Sequence, residues 1–423
     1  MQKLLLHLNF KIIGLFLLVY LVYFLYMPSF GYHTDAIVFG KWAQYSLQHG
    51  LGKIYRFGID YLPLYTYVLY AYAKIQGTDF QIIKNLKYLS AFTLIFDMVA
   101  GYLVYLLVNK YLKNPLKSFG WSLFYVLNIM VLYNTIFWGQ IDGMVVCFIF
   151  ASFLMAYFGY FFGSCILFLL ALNLKLQAAI FLPIIGMLNL KIVIEKFDIK
   201  KLIYTALALI VIELIIIFPF YQTHDLGLVK NVIKNSFGKY PFVSYGAFNF
   251  WFLAKDLNVY TASVTPDSTL IGGISMNRWG FILFCIASFF ALFHFAKSYF
   301  GLVFQKIKLD FSLEKTLLSA SLIPLIFFFF NTQMHERYSH PAFIFLVSYA
   351  ILYKKFIPYF TGSLAHFLSL EYIHRHYNLG VYDLFFFKTT FIACLYLFTI
   401  AYLFYQLFEG EQVMKKFFLK NIN

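Results

Sequence analysis

Stretches of about twenty apolar residues, separated by short connections that carry lysine, recur along the chain and decide most of what it can be. A bilayer span needs roughly 20 mostly apolar residues, and this sequence offers about a dozen such stretches. Of its 423 residues, 62% are apolar and 12% charged, whereas soluble domains run at roughly 45–50% and 25%. The mean hydropathy of +0.76 points the same way. Too little polar surface is left to dissolve the chain, so a soluble globular protein and a disordered one are both excluded. An all-α polytopic membrane protein is expected. Phe and Tyr, 55 and 35 residues, supply interface belts and, in runs such as Phe327-Phe328-Phe329-Phe330, packed or lipid-facing surface.

A formal charge of +15 would suggest a nucleic-acid partner for a soluble protein. Here the lysines sit in short connections, as insertion topology requires, and no nucleic-acid partner is expected. Cys147, Cys165, Cys285 and Cys394 lie inside apolar segments without short spacing, and read as small hydrophobes rather than as a disulfide or metal framework. Leu4–Met27 is long enough to remain as a first span.

Further spans are expected near 82–109, 118–137, 142–160, 164–189, 202–221, 276–304, 316–331, 341–353, 357–372 and 383–408. Lys110/Lys113/Lys117, Lys191/Lys196/Lys200/Lys201, Lys306/Lys308/Lys315, Lys354/Lys355 and the tail lysines all fit a cytoplasmic side, together with Lys3 and Lys11. Two conditions follow. Tyr61–Lys74 must lie in the outer leaflet instead of crossing, and 164–189 must go in and come back as half-helices meeting around Asn173–Gln177. Lys84 and Lys87 are the exception to the scheme. The remaining polar clusters then share the extracytoplasmic face: Ser29–Asp79, Trp138–Asp142, Lys175/Gln177, the 222–275 loop and Asn331–Pro341. One domain over 1–423 is expected: first span 1–27, outer loop 28–81, core spans 82–221, outer loop 222–275, C-terminal spans 276–408 and cytoplasmic tail 409–423.

In Tyr32-His33-Thr34-Asp35, the aspartate stands just beyond a span, with Phe39, Trp42 and Ala43 following at helical spacing. Partial desolvation makes such a carboxylate a better base; an aspartate capping an amphipathic interface helix is the other reading. Trp138-Gly139-Gln140-Ile141-Asp142-Gly143 holds more polar chemistry than a turn needs. Lys175 and Gln177 break an apolar run, and an ionisable group at membrane depth is a functional candidate; a cation there suits a lipid phosphate. Asp97 and Glu213 are similarly embedded, and Asp97 could pair with a lysine. His335-Glu336-Arg337-Tyr338-Ser339-His340 offers Arg337 as a donor for phosphate oxygens; its histidines do not have HExxH spacing.

In this order, an outer-loop aspartate, Tyr61-Leu62-Pro63-Leu64, Trp138-Gly139-Gln140-x-Asp142, Lys175-x-Gln177 and His335-Glu336-Arg337-Tyr338 resemble the GT-C glycosyltransferases. The likeness is nearest to bacterial relatives of the GPI-anchor second mannosyltransferase, and it covers about residues 30 to 341. Ser244–Trp251, containing Asn249, resembles that family's loop motif. Leu62 departs from a proline and Gly246 from an asparagine. The resemblance implies a GT-C-like bundle of about 11–13 spans whose extracytoplasmic loops form the active site of an inverting glycosyltransferase. The enzyme would sit in the bacterial plasma membrane and move a hexose such as mannose from a polyprenyl-phosphate donor to a glycan, lipid or protein acceptor. It implies Asp35 as base. Lys175, His335 and Arg337 are then the candidates for the donor phosphate, and Trp138, Gln140, Asp142, Gln177, Asn249 and Glu336 for sugar or acceptor. No cofactor is implied, and a divalent metal is not favoured. The alternative is a lipid-linked-sugar flippase or transporter, for which Asp97 and Glu213 would be the mid-membrane charges.

Overall fold

Side-chain caps start many of the helices that hydropathy predicts. The computed structural model describes residues 9–28, 34–236, 238–255 and 257–420. Lys3, Tyr32 and His33 lie outside the described residues. Asn9, Thr78, Asn114, Asn128, Asp198 and Ser312 each accept a backbone N–H in the first turn that follows, which removes one of the orphan donors of a helix start. Pro63, Pro115 and Pro358 occupy first-turn positions, where a missing N–H costs nothing.

The chain packs as two compact units, Met1–Lys239 and Tyr240–Asn423; the division falls inside the 222–275 loop. The first unit comprises α1 (Phe10–Tyr26), α2 (Thr34–His49), α3 (Pro63–Gln76), α4 (Asp79–Lys84), α5 (Lys87–Leu112), α6 (Pro115–Val126) and α7 (Ile129–Leu132). It continues through a π-helical turn, Tyr133–Phe137, into α8 (Asp142–Tyr157), α9 (Phe161–Leu174), α10 (Leu182–Glu195), α11 (Ile199–Gln222) and α12 (Leu226–Asn235). α5 is central, with 67% of its most apolar window buried, whereas only 11% of that of α11 is. α11 therefore presents its Ile and Leu side chains outward.

The second unit holds β1 (Ser244–Tyr245), α13 (Phe250–Ala254), α14 (Val259–Val264), β2 (Leu270–Ile271), β3 (Ile274–Ser275), α15 (Met276–Gln305), α16 (Leu313–Phe330), β4 (Met334–His335), α17 (Ala342–Tyr353), α18 (Ile357–His374) and α19 (Thr389–Lys420). β1 pairs in parallel with β4, Ser244 opposite Met334 and Tyr245 opposite His335. β2 and β3 form a small hairpin that turns on Gly272 and Gly273, both at positive φ.

Among the described residues, six helices are long and apolar enough to cross a membrane: α5, the Leu176–Glu195 segment that contains α10, α11, α15, α16 and Thr389–Glu409 of α19. A seventh is the pair Pro115–Val126 and Ile129–Phe137, bent by 53°. α1, α8, α9 and α17 are shorter apolar helices. α18 was expected to span, yet it is absent from both groups. It carries Ser363, His366, Ser369 and Glu371, all buried inside the unit. α19 continues to Lys420, past the expected start of a tail at 409.

The return of the chain within 164–189 is present. Asn189 of α10 donates to Ser164 Oγ of α9 at 3.0 Å, so the late part of α10 lies beside the early part of α9. The two helices run in opposite senses, and the reversal falls at Lys175, whose extended backbone ends α9.

Candidate functional site

In the first unit, Asp35 sits in the first turn of α2, where a carboxylate is favoured by the helix dipole. Phe39, Trp42 and Ala43 on the same helix are all buried, the amphipathic pattern expected of it. Oδ2 of Asp35 accepts two hydrogen bonds, from Gln140 Nε2 at 2.6 Å and from Trp138 Nε1 at 3.1 Å. Gln140 Oε1 in turn accepts from the Tyr61 hydroxyl at 3.2 Å, and the Tyr61 ring packs against Phe39, Trp42 and Tyr65. Asp35, the Tyr61–Leu64 element and the Trp138–Gly143 motif thus meet, although 103 residues separate Asp35 from Trp138.

Gly139 makes this junction possible. Its φ is +75°, and a Cβ there would lie 3.1 Å from the Ala36 Cβ, one residue after Asp35. Any larger residue would be strained in backbone and would push the turn off α2.

Asp142 holds Lys175. Lys175 Nζ donates to Asp142 Oδ1 at 2.6 Å, with side chains 13% and 3% exposed. A pair so buried is strong only while both charges remain. The Lys175 ammonium also lies 5.9 Å from the centre of the Tyr61 ring, linking the pair to the same cluster. Gln177 is half-buried in the 3₁₀ turn just beyond.

Asp97 pairs with Thr135, not with a lysine: the Thr135 hydroxyl donates to Oδ2 at 2.7 Å. Glu213 accepts from Asn173 Nδ2 at 2.8 Å. Both embedded carboxylates are therefore hydrogen-bonded within the helix packing.

In the second unit, Glu336, Arg337 and His335 form one polar group on the β4 turn. Arg337 Nη1 donates to Glu336 Oε1 at 2.6 Å, and His335 Nδ1 is 3.8 Å from Oε2. Burial works to raise the Glu336 carboxyl, but the Arg337 guanidinium and His335 outweigh it and hold the group down at about 2. Glu336 is consequently a fixed anion, engaged by its neighbours. The His335 ring stacks on Tyr245 at 5.2 Å and meets Tyr240 and Tyr338 at the same distance. Behind the turn, Ser339 is within 2.8 Å of His366 Nδ1 on α18 and 3.1 Å of the Tyr396 hydroxyl on α19; this buried contact anchors the turn to two helices.

Asn249 belongs to the support of this group. Its Nδ2 donates to the carbonyls of Phe328 and Asn331, both at 3.2 Å, and its Oδ1 accepts from the Trp251 amide. Trp251 Nε1 donates to the Phe330 carbonyl at 3.0 Å. Together they satisfy carbonyls at the C-terminus of α16 that have no partner within that helix. Gly246, with φ +79°, explains the departure from asparagine, because a Cβ would meet Ile373 at 2.8 Å.

Arg375 was missed in the sequence. Its guanidinium lies 4.8 Å from the Tyr382 ring centre and 6.0 Å from that of Tyr372, in a left-handed backbone conformation at the end of α18. Only the oddity of His374-Arg375-His376 after an apolar stretch could have drawn attention to it. Among the described residues no group of three or more His, Cys, Asp or Glu could hold a metal ion. In comparison with known proteins, no protein-family model matches the chain, and none of the curated proteins matches it.

Proposed function

We propose that the protein is an integral-membrane inverting glycosyltransferase that moves a hexose, mannose being the first candidate, from a polyprenyl-phosphate donor to an acceptor hydroxyl on the extracytoplasmic face of a bacterial plasma membrane. The observation that carries this reading is Asp35, whose Oδ2 is fixed by Gln140 and Trp138. A positioned carboxylate at the start of an amphipathic helix is what deprotonation of an incoming hydroxyl requires. A charge carried through a membrane would instead call for Asp97 or Glu213 to be poised in a path; their bonds to Thr135 and Asn173 favour the enzyme over the transporter.

In this reading the acceptor hydroxyl attacks the anomeric carbon as Asp35 takes its proton, and the lipid phosphate departs with the bonding electron pair. For the departing phosphate, Lys175 is the candidate cation of the first unit, and His335 and Arg337, with Arg375, are the candidates of the second. Their effect on rate comes from charge that grows along the reaction. Trp138, Gln140, Asp142, Gln177 and Glu336 shape the sugar and acceptor sites directly or through these cations, and Asn249 supports the β4 turn.

Asp35→Asn is the direct test. Asn can still accept from Gln140 and Trp138 but cannot take a proton, and general-base catalysis contributes about 10²–10⁴-fold. Purified Asp35→Asn should keep its unfolding temperature and lose at least about 100-fold in transfer from a polyprenyl-phosphate hexose. Turnover near the wild-type rate would remove Asp35 from the reaction.

A further inference from the structure

Asp97 takes no part in the reaction as proposed, yet an ionisable residue inside a span is costly. It lies roughly 15 Å along α5 from Lys87 at about 1.5 Å per residue, and it is fully buried. Its two oxygens meet different surroundings. Oδ2 accepts from Thr135 at 2.7 Å. Oδ1 has no hydrogen-bond partner and faces the backbone of Gly143, where a Cβ would come within 2.4 Å of it. The Gly143 position that closes the Trp138–Gly143 motif is therefore small because α5 delivers a carboxyl against it.

Thr135 lies in the π-helical turn Tyr133–Phe137, a rare conformation frequent at functional sites. That turn leads directly into the two donors on Asp35. The Trp138 amide donates to the Tyr133 carbonyl and the Gln140 amide to the Asn134 carbonyl, both at 3.0 Å. Asn134 Nδ2 reaches Asp142 Oδ2 at 3.4 Å. Every side chain that engages Asp35 or Lys175 from this segment hangs on a turn whose hydroxyl is held by Asp97.

We propose that Asp97 and Thr135 form a latch that positions the 133–143 turn, so that Trp138 and Gln140 reach Asp35 and Asp142 reaches Lys175, with Gly143 leaving the room that the Asp97 carboxyl needs. Both are positioning residues, acting through the turn. The catalytic part of this inference rests on the glycosyltransferase reading. The mechanical part does not. A displacement of about 1 Å at a site can cost about 100-fold in rate, so the latch has ample leverage.

The test uses the full chain in nanodiscs. Thr135→Val keeps the shape and deletes the donor. It should lower kcat about 10- to 100-fold, with donor KM changed by less than about 3-fold. Thr135→Ser, which restores the hydroxyl, should recover most of that loss. In a Gln140→Leu background, Thr135→Val should cost clearly less, because one of the groups that it places is already gone. Asp97→Asn, which still offers Thr135 an acceptor, should exceed Asp97→Leu by about tenfold. Amide hydrogen exchange of residues 133–143 should quicken about tenfold or more in Thr135→Val, and this readout needs no activity.

Turnover of Thr135→Val within about 3-fold of wild type, or an equal cost in the Gln140→Leu background, would overturn the positioning role. Loss of activity in Asp97→Asn as complete as in Asp97→Leu would overturn it too, in favour of a proton or charge function for Asp97. If the wild-type protein transfers no sugar, the glycosyltransferase reading fails and hydrogen exchange alone decides the latch, unchanged exchange refuting it.

Discussion

The Lys175–Asp142 pair sharpens what a charge at membrane depth can mean. Its 2.6 Å contact and the near-complete burial of Asp142 show a cation already compensated before any phosphate arrives. Lys175→Met would strand the Asp142 charge, which typically costs about 3–5 kcal/mol; thermal unfolding in nanodiscs measures it. Lys175→Met combined with Asp142→Asn should regain most of the stability. Activity should stay lost if the ammonium serves the donor phosphate, and recovery of activity in the double variant would make the pair pure scaffold. Glu336 behaves differently toward acid. Its folded carboxyl is depressed from 4.5 to about 2 by Arg337 and His335, against burial. The stability from its ion pair is therefore complete above the ordinary carboxyl range and disappears only as pH falls toward about 2. At about pH 4 the β4 turn should remain intact, while Glu336→Gln should show no pH-dependent step from this group at all. Hydrogen exchange of 331–341 against pH checks both, and a loosening in the wild type between about pH 6 and 4 would contradict the pairing.

At the scale of the element, the C-terminus of α16 shows how a motif residue can be scaffold. Asn249→Ala removes two buried side-chain bonds to carbonyls and one to the Trp251 amide. At roughly 0.5–1.5 kcal/mol per bond, a loss of about 2 kcal/mol in unfolding free energy is expected, with donor KM within about twofold. A tenfold rise in KM at unchanged stability would return Asn249 to the sugar site. Much at this scale was legible in the sequence. Asn114-Pro115 and Ser312 carry their own start signals, and the polar break at Lys175 announced a reversal. The grouping of Asp35 with Trp138 and Gln140 followed from motif order. The partners of embedded groups were not legible, because hydropathy reports burial and not who is buried beside whom. Asp97 was open to a lysine and found Thr135. His366 and Glu371 of α18 gave no sign of theirs. Their partners, Ser339 and Tyr382, lie on other segments. A π-turn has no sequence signature to find.

The molecule as a whole is ordered by where its lysines fall. In the second unit, the chain passes from α15 to α16 at Lys306/Lys308 and from α17 to α18 at Lys354/Lys355, whereas the β4 turn and Arg375 carry the varied polar chemistry. In the first unit, Lys110/Lys113 and Lys196/Lys200 end α5 and separate α10 from α11, while Asp35, Trp138 and Lys175 gather elsewhere. Short lysine-bearing connections stay cytoplasmic, so cysteine labelling has a definite expectation in each unit separately. With Cys285 and Cys394, the two exposed cysteines, changed to serine, single cysteines at Lys113, Lys200 and Lys306 should react with a membrane-impermeant maleimide only after the cells are opened. Cysteines at Asp60 and at Tyr260, the latter 73% exposed, should react in intact cells. Lys84 and Lys87 are the sharpest case. They lie over the rings of Phe80 and of Phe24 and Tyr88, where an aromatic face substitutes for part of the hydration a lysine loses near hydrocarbon. Such lysines can stay outside against the charge bias, so position 84 should label in intact cells as well. Labelling at 84 only from within, with 60 still reached in intact cells, would mean that α3 crosses the membrane, and it would end the common face on which Asp35, Trp138 and Lys175 are expected.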